Sequence, residues 1–441
     1  MSMVTSNSYL ESLLQGRPQL PPSPLAWFNH LRANAVDRAG TLKVPTTRDE
    51  EWRFTDISPL AALSLKPVRA ASSLEAADVE RFYLPEAKNR LVFVDGVYMP
   101  HLSSPTGPDS AQDPEVVVVT DLSTAVLAHA KAIEPHLGRH AGFQDNLFAA
   151  LNTAFLHDGA VIIAPRNVAV ENPMHVLFIA TQSGAASHPR CLFIAQDGST
   201  VTILEDYVTL REDVYVTNAV TEVVLGNNAQ INHIRVQRDS AQAFHIANCA
   251  VSLARSSRYR SVSVALGARI SRYDLNTRLE DEGAECAIDG LALITGRQLA
   301  DTHTCIDHAK PNGISRQSHK CIVDGAAQAV FNGKVLVRPG AQRTDSAQSS
   351  RNLLLSAKAR VDTKPQLEIF ADDVKCAHGA TVGQLDNEEL FYLKSRGLSE
   401  VAARNLLTYA FGAEIIERIS IASLRHRLEQ TALEQTKKTE L

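Results

Sequence analysis

No run of apolar residues approaches the roughly 20 needed to cross a bilayer as a helix, so a membrane span is not expected anywhere in these 441 residues. The opening stretch MSMVTSNSYLESLLQGRPQLPPSP also lacks a basic head followed by an apolar segment, which argues against a secretory signal and predicts a soluble, cytoplasmic protein. Charge of one sign is missing too: 44 Lys and Arg stand against 49 Asp and Glu, a formal net charge of -5. That leaves no polybasic field to attract nucleic acid. Phosphate-cradling glycine loops are absent. The string FNGKVLV carries Gly333-Lys334, but Val335 follows and the first glycine of a P-loop is missing, and no G-x-G-x-x-G occurs, so ATP is not expected to bind by that route. Cysteine is sparse, with Cys191, Cys249, Cys286, Cys305, Cys321 and Cys376 all in the middle of the chain. Without an export signal these read as thiols or metal ligands rather than a disulfide framework. No paired C-x₂-C motifs are present, which excludes the usual closed structural zinc site.

What is present divides the chain in three: an N-terminal helical region with a β-hairpin over 1–157, a β-rich core over 158–383, and a C-terminal helical region over 384–441. SNSYLESLLQ and PLAWFNHLRANAVDRA carry apolar residues three and four apart, as do LSTAVLAHAKAIEPHL and FQDNLFAALNTAFLHDG. TLKVPTTRDEEWRFTDISPL between them is a polar connector. SLEAADVERFYL reads as a short helix capped by Ser72 or Ser73. NRLVFVDGVYMPHLS alternates apolar residues about Asp95-Gly96, a hairpin signal. From Ala160 to about Cys376, short β-rich pieces follow one another with almost no helical pattern between them, which predicts a sandwich, a large barrel or a β-solenoid. Gly226, Gly267, Gly283, Gly325 and Gly340 punctuate them at separations that alternate between long and short, as tight corners of a solenoid would. Periodicity alone leaves the solenoid and the sandwich open. After Gly383 helices return. One ends at Arg396-Gly397, and the next starts at Ser399 and presents Val401, Leu406, Leu407, Ala410, Phe411, Ile415, Ile416 and Ile419 as a broad apolar face. The polar tail TALEQTKKTEL is expected to fray.

Three cysteine–histidine pairs stand at i, i+2: His303/Cys305, His319/Cys321 and Cys376/His378. On a strand such residues share a face, about 7 Å apart, so each pair can turn a thiol and an imidazole to one side. The first two pairs are offset by nearly the shorter glycine spacing, which would stack them on successive coils. Soft sulfur with imidazole suits iron, zinc or copper(I), whereas small buried cysteines also fill β-structure cores. Packing is the expectation for the first two pairs. Cys376/His378 lies in DDVKCAHGATVG, beside acids and a turn, where a ligand site would be accessible. A nucleophilic Cys–His dyad oriented by Asp372 or Asp373 is the competing reading, but residues two apart on a strand lie too far apart and too parallel for that contact.

The string DDVKCAHGATVGQLDNEELFYLKSRGLSEVAARNLLTYAF closely resembles the C-terminal signature of the SufB/SufD family of the Suf iron–sulfur cluster assembly system, on its SufD side. TTRDEEWRFTDI, LVFVDGVY and FQDNLFAALNTAFLHDGAVIIAP resemble further family stretches, so the likeness spans most of the chain. It implies a mainly β fold, a right-handed parallel β-helix core flanked by α-helical regions. It implies a non-enzymatic scaffold that pairs through the β-helix with SufB and docks the ATPase SufC through the C-terminal helices, with ATP bound elsewhere than on this chain. Val401, Leu406, Leu407, Phe411 and Ile415 are the docking residues this suggests. Packing of that face on the protein's own β-helix is the alternative. By the same resemblance His378, with Cys376 beside it, contributes to a transient iron–sulfur cluster shared with SufB, His378 being the metal ligand. Where SufB carries an essential cysteine, AQSSRNLLLS has serine near Ser350, so this chain alone is expected to lack a complete site. ATP-driven closure of the SufC subunits would then expose buried ligands at the SufB–SufD interface to iron and sulfur. In isolation the chain could form a homodimer. A β-helix carbohydrate-active enzyme is the other reading, disfavoured by the missing export signal and an aromatic content of 6%. A stand-alone metal-binding protein using all three Cys/His pairs is another.

Overall fold

A computed structural model describes residues 8–15, 20, 22–105 and 116–438, with side chains as far as residue 434. Pro21 and the last residues of the tail lie outside the described residues. In the N-terminal region, helices α1 (Ser8–Gln15), α2 (Ala26–Thr41) and α3 (Ser58–Ala61) precede strand β1 (Lys66–Pro67) and helix α4 (Ala76–Val79). Helix α4 is capped by Glu75, in a capping box with Asp78, instead of by Ser72 or Ser73. The hydroxyl of Ser72 lies beside Asp95 and Thr181. Strands β2 (Asn89–Val94) and β3 (Val97–Tyr98) form the hairpin about Asp95-Gly96, both with positive φ as a two-residue turn requires. Strand β4 (Val118–Asp121) follows. The stretch read as one helix then breaks at His129 into α5 (Leu122–Ala128) and α6 (Ala130–Ile133), and α7 (Leu147–Ala154) is capped by Asn146.

The core winds through β5 (Gly159–Ala164), β6 (Met174–Ala180), β7 (Ala185–Ser187), β8 (Arg190–Ala195), β9 (Thr200–Thr209), β10 (Val216–Leu225), β11 (Gln230–Arg238), β12 (Phe244–Leu253), β13 (Arg258–Ala265) and β14 (Ile270–Leu279). It continues through β15 (Glu285–Ile294), β16 (Leu299–His308), β17 (Ile314–Val323), β18 (Gln328–Val337), β19 (Asp345–Leu354), β20 (Arg360–Ile369) and β21 (Lys375–Gly383). From β8 onward each strand pairs in parallel with the second one after it, so consecutive strands alternate between two facing sheets. This is a parallel β-solenoid, which rules out the sandwich. The even-numbered strands from β8 to β20, together with β5, β4 and the short pair β7 and β1, build one sheet. The odd-numbered strands from β9 to β21, with β6, β2 and β3, build the other. One coil is roughly 30 residues: Gln230 lies beside Thr200 and Asp345 beside Ile314. The alternating glycine separations therefore marked two coils, one long and one short spacing together, rather than one.

What sets the coil is a stacked corner. Asn167, Gly198, Asn228, Ser256, Gly283, Asn312 and Arg343 all have positive φ. Each donates its amide to a carbonyl one coil on, as in Asn228 N to Arg255 O and Asn312 N to Gln342 O. Asparagine and glycine tolerate this left-handed conformation better than other residues and take five of these seven corners, with Ser256 and Arg343 at the other two, so glycine alone carried the repeat only in part.

Between the sheets the early coils enclose an apolar cluster, with Phe93, Phe178 and Tyr207 stacked at 5.0 and 4.9 Å between ring centres, beside a buried network of Glu205, His233, Arg235 and His245. Each fully buried aromatic of this kind contributes about 1.5–3 kcal/mol. The even-strand sheet is covered outside by α2, α7 and their neighbours. The odd-strand sheet is covered by the C-terminal helices α9 (Glu400–Ile416) and α10 (Ala422–Lys438), which follow α8 (Asn387–Ser395). Helix α10 carries the tail as far as Lys438 and buries Leu424, Leu428 and Ala432, so the fraying expected from Thr431 onward does not hold there.

Candidate functional site

Strand β21 is the last of its sheet and β20 the last of the other; among the described residues neither pairs with a strand on its outer side. The solenoid is thus open at this end, with two unpaired edges. Cys376 turns into the lumen and packs with Val335, Val337 and Ala341. Burial pushes its thiol pKa up, which keeps it protonated and a poor nucleophile. His378 shares that side of β21, aligned with Gln348, and is exposed. Ala380 is aligned with Ser350, whose hydroxyl accepts from Asn352 at 3.1 Å. Asp372 instead caps the corner, its carboxylate accepting from Gln342 at 2.8 Å. Thiol and imidazole therefore stand side by side at the mouth of the lumen.

The other two pairs are not stacked on successive coils. His303 and Cys305 are on β16 and His319 and Cys321 on β17, opposite sheets of a single coil, because their offset is half a coil. His303 and Cys305 face outward under the N-terminal connector. There Glu51 lies 3.3 Å and Asp301 3.0 Å from the imidazole. Burial works against its charge, but Asp301 and Glu51 outweigh that and raise its pKa to about 9. The same connector lays Trp52 over Arg272, 4.0 Å from the ring centre, and Thr55 donates to Asp301. The polar residues of TTRDEEWRFTDI thus clamp the connector to the sheet. His319 and Cys321 face the lumen and are buried, which drops the imidazole to about 3 and lifts the thiol to about 12. Among the described residues no three His, Cys, Asp or Glu side chains converge where a metal ion would fit.

The proposed docking residues separate into two groups. Val401 and Leu406 are 42% and 44% exposed, and Leu407 is half-buried. Ile415 is fully buried against the odd-strand sheet, and Phe411 packs on the same cluster. Those two hold α9 down and are corrected to core positions, since the side of the helix that carries them faces Leu291 and Ile322. Lys320 reinforces the seat, its Nζ donating to the Phe411 carbonyl at 2.8 Å and to Glu414, over the Phe411 ring. Ser399 caps α9 as expected, accepting from Ala402. The reading of the sequence missed Phe391 and Tyr392 on α8, which are 74% and 57% exposed. Adjacent aromatics after Glu388 and Glu389 on so short a helix were the signal. At Gly412 an added Cβ would lie 3.3 Å from Ile322. Gly412→Leu should therefore lift α9 and cost about 1–3 kcal/mol by overpacking, read as a lower urea midpoint, whereas Gly383→Ala, with open space at its Cβ, should leave the midpoint unchanged.

Family models match along nearly the whole chain. A model of the SufBD protein N-terminal region covers residues 3–176, and one described as SUF system FeS cluster assembly, SufBD core domain, covers 178–411. The chain belongs to the SufBD family. A SufBD family iron–sulfur cluster assembly protein of Synechocystis is 43% identical over 411 residues, covering 90% of this chain and 89% of the relative. The iron–sulfur cluster assembly protein SufD of Escherichia coli is 32% identical, with 87% and 88% covered. SufD of Bacillus subtilis is 26% identical, with 91% and 92% covered. Within the family the chain is of the SufD type.

Proposed function

We propose that the chain is a non-enzymatic scaffold for building iron–sulfur clusters, acting in the cytoplasm. It pairs with SufB through the open end of its solenoid and docks SufC through α8 and α9. The observation that carries this reading is the unpaired last coil: β20 and β21 offer free N–H and C=O groups along two edges, and such edges are templates for pairing with another chain. Exposed Ile369, Phe370 and Val382 on or beside these strands add apolar surface to that end. A second exposed patch, Phe391, Tyr392, Val401 and Leu406, is offered by α8 and α9 and supports SufC as its occupant. The missing P-loop agrees with a chain that borrows its ATPase. Cys376 and His378 stand at the open end, and a cluster assembled there is cargo, completed by donors from SufB. A neutral imidazole is an exchangeable ligand, which favours passing the cluster on. In isolation the same edges would pair two copies of this chain.

The test is co-purification of the tagged chain with co-expressed SufB and SufC under anaerobic conditions, counting iron and acid-labile sulfide. Wild type should hold the complex with both elements. His378→Ala should keep the complex and lose most of the iron and sulfide. Undiminished iron and sulfide in that variant would remove His378 from the site, and failure of wild type to recruit SufB would remove the reading as a whole.

A further inference from the structure

Polar side chains recur inside the lumen. Where an earlier coil holds Glu205, His233, Arg235 and His245 among apolar side chains, the coil under the site holds a chain of side-chain amides. Gln317 on β17 donates through Nε2 both to the hydroxyl of Thr304 and to Nε2 of His319, the latter at 3.0 Å. Its carbonyl oxygen accepts from Nε2 of Gln348, on β19, at 3.0 Å. His319 stacks on Phe331 with ring centres 4.4 Å apart, and burial keeps its imidazole neutral, so it can accept through Nε2 while its proton sits on Nδ1. With that end fixed as an acceptor, the direction of the chain follows: both amides point their NH₂ groups inward. The carbonyl oxygen left over is Oε1 of Gln348, which is buried and has no partner.

Two glycines are spent on this arrangement. A Cβ at Gly333 would lie 1.7 Å from Nε2 of Gln348, and one at Gly290 would lie 2.3 Å from Nδ1 of His319. Both sit in strand interiors, where glycine weakens a strand and marks a close approach. Here the approaching groups are the Gln348 amide and the His319 ring. An unsatisfied buried acceptor costs about 1–3 kcal/mol, and the residue aligned beside Gln348 in the ladder, on the same lumen-facing side, is His378.

We propose that Gln348 is the positioning residue of His378: its free Oε1 takes one ring N–H of the imidazole, fixing a single tautomer and leaving the other ring nitrogen, with its lone pair, as the ligand. Histidines that bind metal commonly have their second nitrogen held in this way. The chain Thr304/His319–Gln317–Gln348 supplies the rigidity, since Gln348 cannot turn its amide over without facing one carbonyl oxygen with another at Gln317. The inference rests on the proposed function for what His378 ligates, but the hydrogen bond itself belongs to this chain alone.

The test is nitrogen-15 NMR of the ring nitrogens in the full-length protein labelled at its 15 histidines, with His378 assigned by comparison with His378→Gln. Wild type should show the two His378 nitrogens well separated in shift, as one tautomer requires. Gln348→Leu should bring them together toward the averaged value of an unheld imidazole, and in the SufB–SufC complex should lower iron retention roughly 10- to 100-fold, the range for second-shell partners, with the complex intact. Averaged nitrogens in wild type overturn the proposal, even if Gln348→Leu proves too unstable to study, and so does an unchanged separation in Gln348→Leu. If His378→Ala keeps its iron, His378 is removed from the cluster site while the ring nitrogens still decide whether Gln348 holds the imidazole.

Discussion

Replacing Glu222 by alanine is expected to cost about 3–5 kcal/mol and to release residues 138–141 from the solenoid. Glu222 faces outward from β10 and is fully buried, as is Arg190, whose Nη2 lies 2.6 Å from its carboxylate. The same carboxylate accepts the amides of Gly138 at 2.7 Å, His140 at 2.8 Å and Ala141 at 3.0 Å. Against the cost of burial, Arg190 and these amides hold the carboxyl below its usual range. The other face of Arg190 is tied to Asn152 and Thr153 of α7, and Asn152 in turn donates to the carbonyls of Pro189 and Asn218. One carboxylate thus joins two strands, a turn and a helix. Removing one partner of a buried pair typically costs 3–5 kcal/mol, because the other charge stays behind, and the stranded amides add to it without being strictly additive. Glu222→Gln keeps the shape and one acceptor for the amides but loses the charge, and should lie between wild type and alanine. The measurement is urea unfolding of both variants with hydrogen exchange at residues 138, 140 and 141. An alanine variant within 1 kcal/mol of wild type, with those amides still protected, would show that the anchor is redundant.

This anchor also shows what a sequence hides. Arg190 and Glu222 are one coil apart, and nothing local marks either as buried. The solenoid itself was legible as texture, since a long series of short β-rich pieces without helices between them has few solutions. Its period was half-legible. Glycines reported only some of the left-handed corners, and Asn167, Asn228, Ser256, Asn312 and Arg343 filled others. The Cys/His pairs were legible as same-face pairs, but which face each took depended on where the strand sat in its coil. That is why His303 came to lie under Glu51 while His319 went into the lumen. On the C-terminal helices the apolar positions were visible, but one helix had to cover the sheet and expose a second face at once. Ile415 went to the first task and Leu406 to the second. Gln348 beside His378 was out of reach altogether, since that neighbour relation exists only once β19 and β21 are in register.

The contribution of Asp158 to stability should fall as pH rises from about 4 to about 7. Asp158 is buried just before β5, its two oxygens accepting the amides of Tyr98 at 2.8 Å and Gly159 at 2.8 Å. Burial, with a smaller push from the neighbouring Asp121, raises its pKa to about 7 against the opposing pull of the two amides. The cavity of about 130 Å³ alongside is lined by Asp95, Arg69, His157 and His188. Burial depresses the two imidazoles, His188 to about 3, so at neutral pH they bring no positive charge to offset a second carboxylate. Below the ordinary aspartate range both folded and unfolded chains carry the proton, and Asp158 is neutral in its effect. Between that range and about 7 the unfolded chain releases the proton and the folded chain keeps it, so each pH unit costs the fold up to about 1.4 kcal/mol. Above about 7 the loss is complete, of order 4 kcal/mol at most. Asp158→Asn removes the titration but satisfies only one of the two amides, a loss of about 1 kcal/mol. The variant should therefore be slightly less stable than wild type at pH 4 and more stable by about 1–3 kcal/mol at pH 8, with the two urea midpoints crossing in between. Parallel pH profiles for the two proteins would mean that Asp158 is ionised in the fold. The amides of Tyr98 and Gly159 would then outweigh burial, and the junction between the N-terminal hairpin and the first coil would be held by a charge.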